Sequence, residues 1–224
     1  PRLLQMPASG TLAHLQASWA SGLKRRANII LVMDTSGSMS GEKLRRAKEA
    51  MASFIKQVPS DEEHVGLVSF SSDFREVVPL GRLGDNRQQL LARTDQLAAE
   101  GNTAFYYSVW RAQSLLAQRK DPERINVVVA MTDGQENYSQ NFSQRNIPGV
   151  GLVPPITGAN AKDVSPLVTA LKLNGSGILV FAVAYGSDAD INVLSTLAGA
   201  FGGQAYRVDP DTIGKLYELI SHNF

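Results

Sequence analysis

The chain has 224 residues, 43% of them hydrophobic, enough for one sizeable core, so a single α/β domain is expected. Its 22 Lys and Arg stand against 21 Asp and Glu, a formal net charge of +1, so no overall field points to nucleic acid or an anionic membrane as partner. Cysteine is absent, which excludes disulfides, thiolate metal sites and thiol catalysis while fitting either redox compartment.

No apolar run approaches the roughly 18 residues that span a bilayer, and no direct membrane insertion of this segment is expected. The chain starts at Pro1 rather than Met and reads as an excerpt of a longer protein. In chain order, Leu12, Leu15 and Trp19 recur at helical spacing and predict a short amphipathic helix over 11–22. Residues 1–25 are therefore expected to form a helical extension or linker ahead of a domain at 26–224. The basic cluster Lys24-Arg25-Arg26 and the group Lys43, Arg45, Arg46 and Lys48 read as solvated faces.

The apolar run Asn28-Ile29-Ile30-Leu31-Val32-Met33 predicts a buried strand that ends in Asp34-Thr35-Ser36-Gly37-Ser38. Leu44, Ala47, Met51, Phe54, Ile55 and Val58 then recur every three or four residues, the stripe of a helix lying on a sheet, which Pro59 ends. Strands over Val65–Ser71 and Arg75–Leu80 follow, joined by Ser71-Ser72-Asp73 as a hairpin, so one edge strand is expected to be antiparallel. Helices are predicted over 86–98 and 104–118, a strand over 125–131, and a strand over 178–185. A helix over 190–199, a short strand over 204–208 and a last helix over 211–221 complete the series. Repeated β-then-α units imply a doubly wound, mostly parallel central sheet of Rossmann-like form with helices on both faces. The segment 138–160, with Pro148, Pro154 and Pro155, interrupts this rhythm as a long loop insertion, read either as a partner-recognition loop or as disorder.

Chemistry concentrates at three strand-end segments. Asp34, Ser36 and Ser38 stand at alternate positions after the first strand, a pattern that suits a hard cation preferring carboxylate, hydroxyl and water oxygens. The same residues also suit an N-cap cluster that satisfies free helix amides without an ion. Asp133 closes the strand at 125–131, and Thr103 lies in the Gly101-Asn102-Thr103-Ala104 loop before a helix. Ligand sites in open parallel sheets form outside the carboxyl ends of strands, so Asp34 and Asp133 meet there if their strands are neighbours.

Together these segments resemble the metal-ion-dependent adhesion site (MIDAS) of the von Willebrand factor type A family, over about residues 26 to 222. The resemblance assigns metal ligation to Asp34, Ser36, Ser38, Thr103 and Asp133. It also implies a bound Mg²⁺ that bridges to an Asp or Glu of a protein ligand, in an adhesion or interaction module. Mn²⁺ shares the ligand preference, whereas Ca²⁺ wants more ligands. The phrasing of the two Asp motifs looks like that of bacterial members, which favours an extracytoplasmic location (periplasmic, cell-surface or secreted) over a cytoplasmic one.

Rival chemistries find less support. His14, His64 and His222 are scattered, and Met39 occupies the position where a nucleophile elbow between Gly37 and Gly41 would need serine. No glycine-rich loop ends in Lys-Ser or Lys-Thr. A Mg²⁺-dependent phosphatase would want a second Asp two positions after Asp34, and Ser36 stands there. No enzymatic activity is expected. The remaining alternative is a passive structural module whose metal only rigidifies the loops.

Overall fold

A computed structural model describes residues 26–58, 60–119, 121, 123–134, 146–147, 151–152, 168 and 177–208. At its centre lies strand β1 (Ala27–Asp34), buried at all eight positions. A strand covered on both faces has no solvent side, so its sequence is a continuous apolar run rather than an alternation. Side chains still alternate between faces: Ile29, Leu31 and Met33 enter one core, Ile30 and Val32 the other.

The other elements are α1 (Glu42–Gln57), β2 (His64–Phe70), β3 (Phe74–Arg82), α2 (Leu83–Asp95), α3 (Phe105–Arg119) and β4 (Ile125–Thr132). Short strands β5 (Asn146–Ile147) and β6 (Gly151–Leu152), then β7 (Ile178–Tyr185), α4 (Ile191–Gly199) and β8 (Ala205–Val208), complete the described part. Six strands form one sheet in the order β3-β2-β1-β4-β7-β8. All its pairs are parallel except β2 with the edge strand β3. Helices α1 and α2 cover one face through Ala47, Met51, Phe54, Leu83 and Leu90. On the other face α3 and α4 pack through Phe105, Val109, Ala112, Leu194 and Leu197. The doubly wound sheet with one antiparallel edge and helices on both faces is thus the observed architecture.

Two features of this topology position the site. Strand order runs from β1 outward to β2 and β3 on one side and to β4, β7 and β8 on the other, so it reverses between β1 and β4. A crevice opens at such a switch point, beyond the carboxyl ends of the strands. The register pairs Met33 with Met131, which brings Asp34 and the Thr132-Asp133 pair out of the sheet at the same level.

Some boundaries differ from the sequence expectation. Helix α2 starts at Leu83 rather than Asn86, because the chain passes from β3 into the helix with no intervening loop. The fully buried Leu83 anchors that junction, and the first-turn amides of Leu83 and Gly84 donate to the carbonyls of Glu63 (2.7 Å) and Asp61 (2.9 Å). Within the segment read as a loop, β5 and β6 pair as a small antiparallel ladder. The expected helices at 11–22 and 211–221, His14, His222 and the rest of 138–160 lie outside the described residues.

Candidate metal centre

The first loop is held from both sides. Thr35 donates its amide (2.7 Å) and its hydroxyl (2.9 Å) to the Phe70 carbonyl, and its own carbonyl accepts from the Glu100 amide at 2.8 Å. A single 3-10 turn follows at Gly37–Met39, and Met39 is fully buried in the core beneath it. The Gly37 amide donates to the Gly101 carbonyl at 3.0 Å, which ties the Asp34 loop to the Thr103 loop. Gly101 has φ +72°, and a Cβ there would meet Ser72 Oγ at 2.7 Å, so the crossing of these loops requires glycine.

Asp34 is fully buried, with both carboxylate oxygens engaged: Oδ1 accepts from the Ser36 amide (2.8 Å) and Oδ2 from the Thr132 hydroxyl (2.6 Å). Burial pushes its carboxyl up to about 6, opposed by those hydrogen bonds and assisted by the nearby Asp133. The Ser36 and Ser38 hydroxyls lie 3.0 Å apart, and Ser38 donates to Asp133 Oδ1 at 2.7 Å. Thr103 is buried, and a Cβ placed on Gly134 would lie 3.4 Å from its hydroxyl and 3.9 Å from that of Ser38. Gly134 therefore keeps the space between those two hydroxyls clear. Ser38 is exposed whereas Asp34, Ser36, Thr103 and Asp133 are buried, so the group opens to solvent on the Ser38 side.

The Ser36 and Ser38 hydroxyls are not used for helix capping. The N-cap of α1 is Gly41 with no side-chain cap, and Ser36 makes no side-chain cap to the 3-10 turn. Asp34, Ser36, Ser38 and Asp133 form one connected oxygen cluster, and Thr103 borders it across Gly134. Such all-oxygen donors fit a hard divalent ion. Among the described residues no group of three His, Asp or Glu gathers, so hydroxyls supply much of this donor set.

Two residues of the site were not singled out in the sequence. Thr132 orients Asp34 from the neighbouring strand, and Lys43 sets its ammonium 2.7 Å from Asp133 Oδ2. The solvated-face reading holds for Arg45 and Arg46, which pair with Glu42 and Glu49 on the helix surface. Lys43 departs from it because the first turn of α1 stands directly over the β4 edge. Of the signals in the sequence, only adjacency to Asp133 marks Thr132, and nothing local separates Lys43 from its basic neighbours. His64 lies at the start of β2, at the opposite end of the sheet.

The family model described as von Willebrand factor type A domain matches residues 28–218. Inter alpha-trypsin inhibitor heavy chain 4 of Mus musculus is 25% identical over 193 residues, 83% of this chain but 18% of the mouse protein. Among solved structures, a von Willebrand factor type A protein from Catenulispora acidiphila superposes with TM-score 0.69 at 21% identity, covering 88% of this chain and 42% of that one. Proximal thread matrix protein 1 from the mussel byssus, with a zinc-occupied MIDAS motif, superposes with TM-score 0.64 at 16% identity over 88% of this chain and 48% of that one. The chain thus spans less than half of each of these proteins. The sheet order, the loops at its switch point and a family match across almost all of the described residues lead to one assignment: the chain belongs to the von Willebrand factor type A domain family.

Proposed function

We propose that this domain is a non-catalytic, metal-dependent protein-binding module. In this reading Asp34, Ser36, Ser38 and Thr103 hold a divalent ion directly or through water, and Asp133 completes the shell. The carrying observation is the hydroxyl chain from Ser36 through Ser38 to Asp133 beside the buried Asp34. When bound, the ion supplies an electrophilic centre for an outside carboxylate. The chain's own residues do the rest: Thr132 and the Ser36 amide orient Asp34, Met39 anchors the loop, and exposed Ser38 marks the side from which an Asp or Glu of a partner approaches. Contacts of that kind are charge-assisted and directional, so the surrounding surface sets specificity.

Mg²⁺ and Mn²⁺ suit a small oxygen site that retains water, and the zinc held by the byssus protein makes Zn²⁺ a third ion to compare. A protein partner, rather than nucleic acid, agrees with the near-neutral charge. No helix among the described residues is long and apolar enough to cross a membrane. An extracytoplasmic setting is favoured, in keeping with a neighbour that is a matrix protein of the byssal thread. Residues 26–224 would form the domain, with 1–25 as an extension and 138–160 as an insertion in its sequence.

The test is calorimetric titration of Mg²⁺ and Mn²⁺ into metal-stripped chain, with an acidic peptide added before and after loading. One binding site per chain and peptide binding only in the loaded state are expected. A flat trace with both ions would overturn the metal centre, and peptide binding indifferent to metal would move the passive-module reading to first place.

A further inference from the structure

Lys43 is the only basic residue of the 43–48 cluster that reaches the site. Arg45 and Arg46 are engaged with surface glutamates, and Lys48 donates to the Asp95 carbonyl at 2.7 Å. Lys43 instead pairs with a carboxylate whose side chain is fully buried, while its own side chain stays 36% exposed. Its main chain is tied down as well, for the buried Tyr185 at the end of β7 donates its hydroxyl to the Lys43 carbonyl at 3.3 Å. A second carboxylate, the exposed Asp188, lies 4.0 Å from the ammonium on the solvent side.

The two oxygens of Asp133 are thus divided: Oδ1 accepts from Ser38 and Oδ2 from Lys43. We propose that Lys43 sets the charge of the metal centre, holding Asp133 with Oδ1 toward Ser38 and leaving a bound divalent ion under-neutralised, so that the centre selects an anionic external ligand. This rests on the metal-centre reading above. The charge arithmetic is direct. A divalent ion between Asp34 and Asp133 would be neutral, and the ammonium on Asp133 raises the sum to one positive charge. The same ammonium repels the ion, so Lys43 trades metal affinity for affinity toward the partner's carboxylate. A neutral centre would retain its waters with less incentive to exchange one for an anion. Asp188, 4.0 Å from the ammonium with its side chain 74% exposed, is screened by water and offsets only part of that charge.

Lys43 is a positioning residue here, and its role separates from a structural one by the opposite signs of two affinities. Mn²⁺ is titrated into the 224-residue chain, its Lys43→Met and Lys43→Arg variants, and Asp34→Ala, followed by water-proton relaxation. Each loaded protein is then titrated with acetate as a stand-in for an aspartate side chain, reading loss of exchangeable water on the ion. Lys43→Met is expected to bind Mn²⁺ about tenfold more tightly and acetate about tenfold more weakly, with Lys43→Arg returning both toward the parent. Equal affinities in parent and Lys43→Met, or weaker Mn²⁺ binding by a Lys43→Met chain whose circular dichroism and urea midpoint match the parent, would overturn the proposal. If Asp34→Ala loses Mn²⁺ while Lys43→Met matches the parent in both its Mn²⁺ and its acetate affinity, the metal centre stands without Lys43. Absence of Mn²⁺ binding in the parent overturns both.

Discussion

The two edges of the central sheet both bury polar side chains, yet they differ in how those groups are matched. At the amino-terminal edge, buried Glu63 accepts from the Ala27 amide, and Asn28 donates to Asn126 Oδ1 at 2.9 Å. Asn28 Oδ1 also meets His64 Nδ1 at 3.0 Å, while Arg124 donates to the Ala27 and Glu62 carbonyls at 3.1 and 3.0 Å. Donors and acceptors there are interleaved across neighbouring strands and close on one another. At the carboxyl edge, two buried carboxylates and several hydroxyls converge, and among the described residues a single ammonium, that of Lys43, faces them from α1. Burial of polar groups therefore does not mark a site by itself. An excess of acceptor oxygens around one opening does, because desolvated anions without matching cations raise the free energy of the empty fold and are relieved by a ligand.

The sharpest break between the edges is in metal affinity. Asp34→Ala should weaken Mn²⁺ binding by about a thousandfold, whereas Glu63→Ala should leave it unchanged, as calorimetry will read. Next in size is a pH effect confined to the carboxyl edge. The Asp34 carboxyl is raised from 3.8 to about 6 by burial, so the folded chain holds that proton more tightly than the unfolded chain does. Its contribution to stability then falls as pH rises from about 4 to 6, is lowest above that window, and amounts to about 3 kcal/mol. The difference in urea-unfolding free energy between metal-free parent and Asp34→Asn isolates this slope, and saturating Mn²⁺ should remove it.

The amino-terminal edge responds through stability alone. Glu63→Ala leaves the Ala27 amide without its acceptor in a buried place and should cost about 2 kcal/mol in chemical denaturation. The smallest effect is expected of Thr132→Val, which keeps shape but removes the donor to Asp34 Oδ2. A loss of about tenfold in Mn²⁺ affinity with little change in unfolding midpoint would place Thr132 among the residues that orient the ligand. A larger stability loss would join it to the structural edge instead.

Much of this was legible in the residues because the signals are local. The stretches 28–33, 125–131 and 178–185 read as strands because they are apolar almost throughout, with Asn28 and Asn126 as the polar exceptions, the mark of strands covered on both faces. The α1 stripe of Leu44, Ala47, Met51, Phe54 and Ile55 is buried as its spacing requires. Helix α2 begins three residues before the sequence expectation, since Leu83 carries no capping signal and the amides of Leu83 and Gly84 find their acceptors in Glu63 and Asp61, about 20 residues earlier. The oxygen character of the candidate centre was equally visible, as a carboxylate and two hydroxyls at alternate positions after a strand.

The sequence by itself determined the strands of the central sheet and the helices that flank it among the described residues, and that oxygen donors cluster at the ends of two of those strands, because periodicity and side-chain chemistry are carried within a few residues. Only the tertiary structure decided that β1 and β4 are adjacent, so that Thr132 reaches Asp34 across 98 positions of chain, and that Lys43 rather than Arg45, Arg46 or Lys48 meets Asp133. Those are contacts between distant parts of the chain. Their geometry follows from strand order and from the angle at which α1 leaves its glycine cap, neither of which any local pattern encodes.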